Sequence, residues 1–156
     1  VLLEEGDNYL ASRLTASGND EIIRIPNYAG DSPFYKGVKE APYIMMNGQE
    51  TFKFAVKSMC RDIQDVAGQA GIPVSDIDWV VPHQANSRII DFAKKKLDIP
   101  QERFLMNINK FGNTSSASIP MMLDQLNSTG NLKRGDNVAM CAFGGGLSSA
   151  ACIIRW

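Results

Sequence analysis

Hydrophobic positions along the chain switch repeatedly between a helical and an extended rhythm. Apolar residues recur at Phe52, Ala55, Val56, Met59, Ile63, Val66, Ala67 and Ala70. That 3.6-residue period predicts an amphipathic helix, which Gly71 and Pro73 stop. "DIDWVVPH" then reads as a buried strand, and Pro82 ends its pairing. "NSRIIDFAKKKLDI" returns to the helical period, with Asn86 or Ser87 as N-cap and Ile89, Ile90, Ala93 and Leu97 as its apolar face. Pro100 closes that unit, and "RFLMNIN" predicts a short strand. "GNTSSASIPMMLDQLNSTG" opens on capping residues and predicts a helix from about residue 114 to 128. "DNVAMCAFGGG" predicts a buried strand ending in three glycines, and "SSAACIIRW" a final strand. Upstream, "NYLASRLTA" (8–16) and "EIIRIPN" (21–27) are strand-like runs flanking the turn signal "SGND". Residues 27–42 hold Gly30, Pro33, Gly37 and Pro42 and read as loop, before a short extended "PYIMMNG". Helices alternating with buried strands predict an α/β layered domain. The opening "VLLEE" reads as the tail of a strand and lacks a methionine, as expected of a fragment cut inside a larger domain.

Composition narrows the class. The 156 residues are 44% hydrophobic and 21% charged, which suits one soluble domain with a real core. A net charge of −1 gives no global drive toward nucleic acid or anionic membrane. No apolar run approaches the ~18 residues of a membrane span, and no secretory leader pattern opens the chain. Cys60, Cys141 and Cys152 are odd in number and widely spaced. They read as reduced thiols of a cytoplasmic protein, with neither a disulfide framework nor a zinc site.

Three polar features follow predicted strands: His83, the only histidine of the chain, Asn113, and Gly144–Gly146. Carboxyl ends of strands form the ligand crevice of an open α/β sheet. Each feature also has a bland explanation. His83 can be a satisfied scaffold histidine, Asn113 a helix cap, and the glycine run a hairpin turn. Alternatively, the glycines admit a substrate close to the backbone and free N–H groups for an anion. The helix starts after His83 and Asn113 add positive dipole ends near the crevice.

"VPHQAN", "FGNTSSAS" and the closing "FGGG", with "NGQETFKFAV" before them and "IIRW" at the end, resemble the C-terminal half of β-ketoacyl-acyl-carrier-protein synthase III. That family comprises the condensing enzymes that initiate bacterial type II fatty acid synthesis. The resemblance covers nearly the whole chain and implies an α/β, thiolase-like fold. This chain would be the C-terminal half of an α-β-α-β-α layered enzyme that forms homodimers. Residues 1–45 would be the end of the N-terminal half and the connecting segment, and residues 46–156 the C-terminal condensing-enzyme domain. The family's active site is a Cys-His-Asn triad. By resemblance, His83 is its histidine, Asn113 its asparagine, and Gly145 the residue whose backbone N–H completes an oxyanion hole. Phe111, where Tyr or His can occur, and "SSAS" for a commoner "SAAS" are mild departures outside the triad.

The implied reaction joins an acyl group to malonyl-acyl carrier protein with loss of carbon dioxide. No cofactor or metal is implied; acyl-CoA and malonyl-acyl carrier protein are the substrates. Decarboxylation leaves an enolate, and neutral N–H donors aimed at its oxygen stabilise it by typically ~3 kcal/mol each. His83 Nε2–H and the Asn113 amide suit that task. The nucleophilic cysteine belongs to the N-terminal half. Cys60 sits within the long helix and Cys141 and Cys152 in predicted strands, so none looks activated. This chain is therefore expected to hold half an active site and to be inactive alone.

Carrier proteins are acidic, so a docking face should be basic. Lys53, Arg88, Lys95 and Lys96 match positions the family uses for carrier protein or coenzyme A, and Ala85 and Asn86 are candidates for the pantetheine tunnel. For Lys94–Lys96 by themselves, a solvated charged stripe explains the run. A secondary-metabolism condensing enzyme of the same superfamily, or a non-catalytic carrier-binding fragment, would carry similar residues. A serine hydrolase is disfavoured by the absence of a G-x-S-x-G elbow.

Overall fold

The computed structural model describes residues 5–26, 33–34, 36–37 and 43–156. The start of the expected opening strand-tail and most of the 27–42 loop, Gly30 and Pro42 included, lie outside the described residues. Chain order runs β1 (Tyr9–Ala16), β2 (Ile23–Arg24), β3 (Met45–Met46), α1 (Gly48–Gln69), β4 (Trp79–Pro82), α2 (Ser87–Leu97), α3 (Ile108–Phe111), α4 (Ser118–Ser128), β5 (Asn137–Gly144) and β6 (Ser148–Arg155). Short 3-10 turns at Val74–Asp76 and Ser115–Ala117 precede β4 and α4.

One four-stranded sheet, ordered β1-β6-β5-β4, carries the fold. β4 and β5 are parallel, whereas β5–β6 and β6–β1 are antiparallel. β1 falls within the residues 1–45 assigned by resemblance to the preceding half and connection, and it pairs along β6. Successive residues of the central strands point to opposite faces. Val80, Ala139, Cys141, Ala151 and Ile153 join the core under α1 and α2. Val81, Val138, Met140 and Ile154 face α4 through Met122 and Leu126. Covering both faces explains why these strands read as continuous apolar runs.

The helices form where the periodicity places them. α1 buries Ala55, Met59, Ile63, Val66 and Ala67, with Phe52, Val56 and Ala70 partly buried at the margin. Asn47 caps its start by accepting from Glu50 N. Of the two N-cap candidates for α2, Asn86 is the cap: its Oδ1 accepts from Arg88 N at 2.9 Å. Two expectations are corrected. "RFLMNIN" is not a strand: Phe104 makes a single parallel bridge to Val80, and the chain turns into α3 at Ile108. A fully buried Gln84 takes the N–H groups of Asn107 and Ile108, diverting them from the sheet. The helix expected from about residue 114 begins as α at Ser118, because Ser115 has a positive φ of 53° that a right-handed α-helix does not accept.

A buried charge fastens α1 to the sheet. Asp62 is 1% exposed, and its Oδ1 accepts from Arg13 Nε at 3.1 Å and Arg61 Nε at 2.8 Å. Arg61 Nη2 continues to Thr15 on β1 and Ser149 on β6. Neutralising both arginines would strand this carboxylate in the core. The Arg13→Gln/Arg61→Gln double variant should therefore lose about 3–5 kcal/mol in urea unfolding. Adding Asp62→Asn should recover most of it; no recovery would mean that the ion pair is not what holds α1.

Candidate active site

Because β4 and β5 are parallel, their carboxyl ends open on one side. His83 follows β4 directly, and its N–H donates to Cys141 O at 2.8 Å, holding its backbone against β5. Its half-buried ring meets Phe143 at 5.7 Å between centroids, with the planes 65° apart. Here lies a cleft of about 770 Å³, lined by His83, Ser115, Ser118, Phe143, Gly144 and Ser148 among others. Burial lowers the His83 pKa, and a backbone hydrogen bond with Ser115 partly opposes this. The ring is thus neutral at pH 7, as an N–H donor without a competing charge should be.

Gln84 was not singled out by sequence reasoning, although it lies inside "VPHQAN". Its side chain is wholly buried and uses both ends. Nε2 donates to Pro82 O at 2.9 Å and more weakly to Leu105 O at 3.4 Å. Oε1 accepts from Asn107 N at 2.9 Å and Ile108 N at 3.2 Å. Asn107 Nδ2 in turn donates to Gln125 Oε1 on α4 at 2.6 Å. One carboxamide thus locks the His83 turn to α3, and its neighbour locks α3 to α4. A glutamine among apolar residues was the available signal; apart from Pro82 its partners are 21 to 24 positions away, so sequence spacing could not name them.

Asn113 follows α3 rather than a strand. Its Oδ1 accepts from Ser115 N at 3.0 Å, an Asx turn that commits the carbonyl end of the side chain. The cap expected of Asn113 is thus present in local form. Ser118 Oγ donates to Ser115 O at 2.8 Å and lies 2.8 Å from His83 Nδ1. A continuous run therefore joins His83, Ser118, Ser115 and Asn113. Asn113 is exposed and is not among the cleft-lining residues. The glycines do form a hairpin connection: Gly145, Gly146 and Leu147 join β5 to β6. Gly145 is exposed, its carbonyl accepts from Ser148 Oγ at 3.0 Å, and a Cβ there would come within 3.4 Å of Ile23 O.

The basic residues lie on α1 and α2, with Lys95 and Lys96 in the last turn of α2. Arg88 stands at the start of α2 with its guanidinium 6.0 Å from the Phe52 ring centre. Lys53, one turn into α1, pairs with Glu50 at 2.7 Å. Lys95 and Lys96 are exposed, whereas Lys94 is held by Asp91 and Gln101. Ala85 is half-buried between His83 and the Asn86 cap. Burial raises the thiol pKa of Cys60, Cys141 and Cys152; Lys96 pulls back at Cys60, while Asp62 and the neighbouring thiols add to the rise at Cys141. None of the three is poised as a thiolate. Among the described residues no helix is long and apolar enough to cross a membrane.

The family model described as 3-oxoacyl-acyl-carrier-protein (ACP) synthase III C terminal matches residues 67–156. The chain belongs to this family. It is 42% identical to the β-ketoacyl-acyl-carrier-protein synthase III of Clostridium perfringens, over 96% of this chain and 51% of that protein. The crystal structure of the Aquifex aeolicus 3-oxoacyl-acyl-carrier-protein synthase III superposes with a TM-score of 0.85 at 39% identity, over 99% of this chain and 46% of that one. The Thermus thermophilus synthase III gives 0.87 at 37% identity, over 99% and 48%. The chain spans about half the length of these synthase III relatives and corresponds to their C-terminal half. Its fold is thiolase-like, as the resemblance implied.

Two measurements follow from this geometry. The single imidazole should titrate below the ordinary value of about 6.5 in a proton NMR pH series; a midpoint above it would contradict the desolvated setting. Since the folded pKa is the lower one, the unfolded chain binds the proton first as the pH falls. His83 therefore costs nothing above about 6.5 and destabilises progressively down to its folded pKa. Separately, Gln84→Met orphans two buried N–H groups and should cost about 2–4 kcal/mol, read as a lowered urea midpoint. An unchanged midpoint would refute the cross-link.

Proposed function

We propose that this chain is the malonyl-activating half of a decarboxylative condensing enzyme that initiates fatty acid biosynthesis. The observation that carries the reading is the hydrogen-bonded run from His83 through Ser118 and Ser115 to Asn113, in a member of the synthase III family. In this reading, His83 Nε2–H and the Asn113 amide donate to the thioester oxygen of malonyl-acyl carrier protein. As carbon dioxide leaves, the electron pair of the broken C–C bond becomes the enolate, and its charge gathers on that oxygen. Neutral donors in place once the thioester is bound stabilise it, in a site walled by Phe143 and the sheet end. The carbanion carbon then attacks an acyl-cysteine thioester, and the Gly145 N–H receives the resulting oxyanion.

The cysteine is assigned to the N-terminal half, which the raised pKa values of the local thiols support. Lys53, Arg88, Lys95 and Lys96 form the docking face for an acidic acyl carrier protein or for coenzyme A thioesters. Ala85 and Asn86 line the pantetheine path. The working protein is a cytoplasmic homodimer in which this half is completed by the N-terminal one, whose arrival covers exposed apolar residues such as Leu14, 82% exposed.

The test supplies the N-terminal half of a synthase III as a second polypeptide, with acetyl-CoA and malonyl-acyl carrier protein. Intact-mass analysis should find the acetyl adduct on the added half and none on Cys60, Cys141 or Cys152. Malonyl decarboxylation should fall roughly 10²–10³-fold in His83→Ala and in Asn113→Ala. If wild type and His83→Ala decarboxylate alike, the chain is a carrier-binding fragment and the catalytic assignment fails.

A further inference from the structure

We propose that Ser118 is a positioning residue that selects which nitrogen of His83 carries the proton, an inference that rests on the catalytic reading of His83 above. The Ser118 hydroxyl has one hydrogen and two acceptors in reach at the same distance. Ser115 O is at 2.8 Å and His83 Nδ1 at 2.8 Å. A carbonyl oxygen cannot donate, so the hydroxyl supplies the hydrogen for the Ser115 contact. The His83 contact is then a hydrogen bond only if Nδ1 carries a proton and Ser118 Oγ accepts it.

In the opposite arrangement, the hydroxyl donates to a bare Nδ1. Ser118 Oγ and Ser115 O then face each other at 2.8 Å with no hydrogen between them, at a serine that is itself 2% exposed. Ser115 O keeps the Ser118 backbone N–H in either case, but only the first arrangement places a hydrogen between the two close oxygens and spares their lone-pair repulsion. In the resting chain, neutral His83 is therefore the Nδ1–H tautomer and presents an Nε2 lone pair to the cleft. Donation to a thioester oxygen requires Nε2–H. A carbonyl acceptor seated at Nε2 favours that tautomer and draws the Ser118 hydroxyl round onto Nδ1, so the population shifts when substrate arrives. Ser118 is suited to this by its place at the first turn of α4, where its hydroxyl reaches both partners by one rotation.

The experiment is nitrogen-15 NMR of histidine-labelled chain at about pH 8, above the ordinary imidazole range. His83 is the only histidine, so both ring nitrogens are assigned without ambiguity. Wild type should show a pyrrole-type Nδ1 and a pyridine-type Nε2, with the Nδ1–H form ahead by roughly fivefold, the equivalent of one buried hydrogen bond. Ser118→Ala should move the population toward Nε2–H, and Ser118→Thr, which keeps the hydroxyl, should retain the wild-type pattern. A wild-type ring already in the Nε2–H form overturns the proposal, whatever the variants do. So does a Ser118→Ala ring, in a chain whose amide spectrum is otherwise retained, with an unchanged tautomer. Loss of decarboxylation in His83→Ala is read separately, so catalysis can fail while tautomer control stands, and the reverse.

Discussion

The carboxamide of Gln84 is the constraint on which the site depends. It sits between His83 and the α2 cap, wholly buried, and bonds backbone groups of two stretches of chain, Pro82 and the segment from Leu105 to Ile108. A buried amide leaves few alternatives, because each unmet donor or acceptor costs about as much as a hydrogen bond returns. The chain after Phe104 therefore abandons the sheet edge and starts α3 where Oε1 collects two N–H groups. That departure places Asn113 on a loop leading to Ser115 and α4 rather than at the end of a strand. Asn107 bonding to Gln125 fixes the second side of the same loop.

With that frame in place, the surroundings of His83 are built from neutral hydrogen-bonding groups, and the charged network of Arg61 reaches the cleft only through Thr15 and Ser149. The buried carboxylate Asp62 and its arginines occupy the α1 side of the sheet, where they link α1, β1 and β6. The serines of the 115–118 loop, Phe143 and the glycine turn line the other end. The same burial that keeps the imidazole neutral also suppresses the three thiols. One physical cause thus supports a donor role for His83 and argues against a local nucleophile.

Local patterns were legible wherever a residue's role depends on neighbours within a turn or two. The α1 and α2 stripes, the Asn86 cap, the buried β4 and β5 runs and the glycine hairpin all follow from spacing and turn chemistry. "RFLMNIN" misled because an apolar run in extended conformation looks alike whether or not it completes a ladder. What decided it was a glutamine side chain from elsewhere in the chain. The α4 start was misplaced because capping residues mark a helix onset without revealing that Ser115 takes a left-handed backbone first.

By itself the sequence determined an α/β chain with alternating helices and two-face-buried strands, a neutral polar trio at positions 83, 113 and 145, and three thiols outside any activating pattern. Motif content also determined the family resemblance. Only the tertiary structure decided that β4 and β5 run side by side in parallel, bringing His83 to the mouth of a cleft beside Phe143. It likewise decided that Ser118, thirty-five residues away, touches the imidazole. Hydrogen bonds and ring contacts between distant segments depend on how the layers close over one another, and no periodicity along the chain encodes which partner will be met.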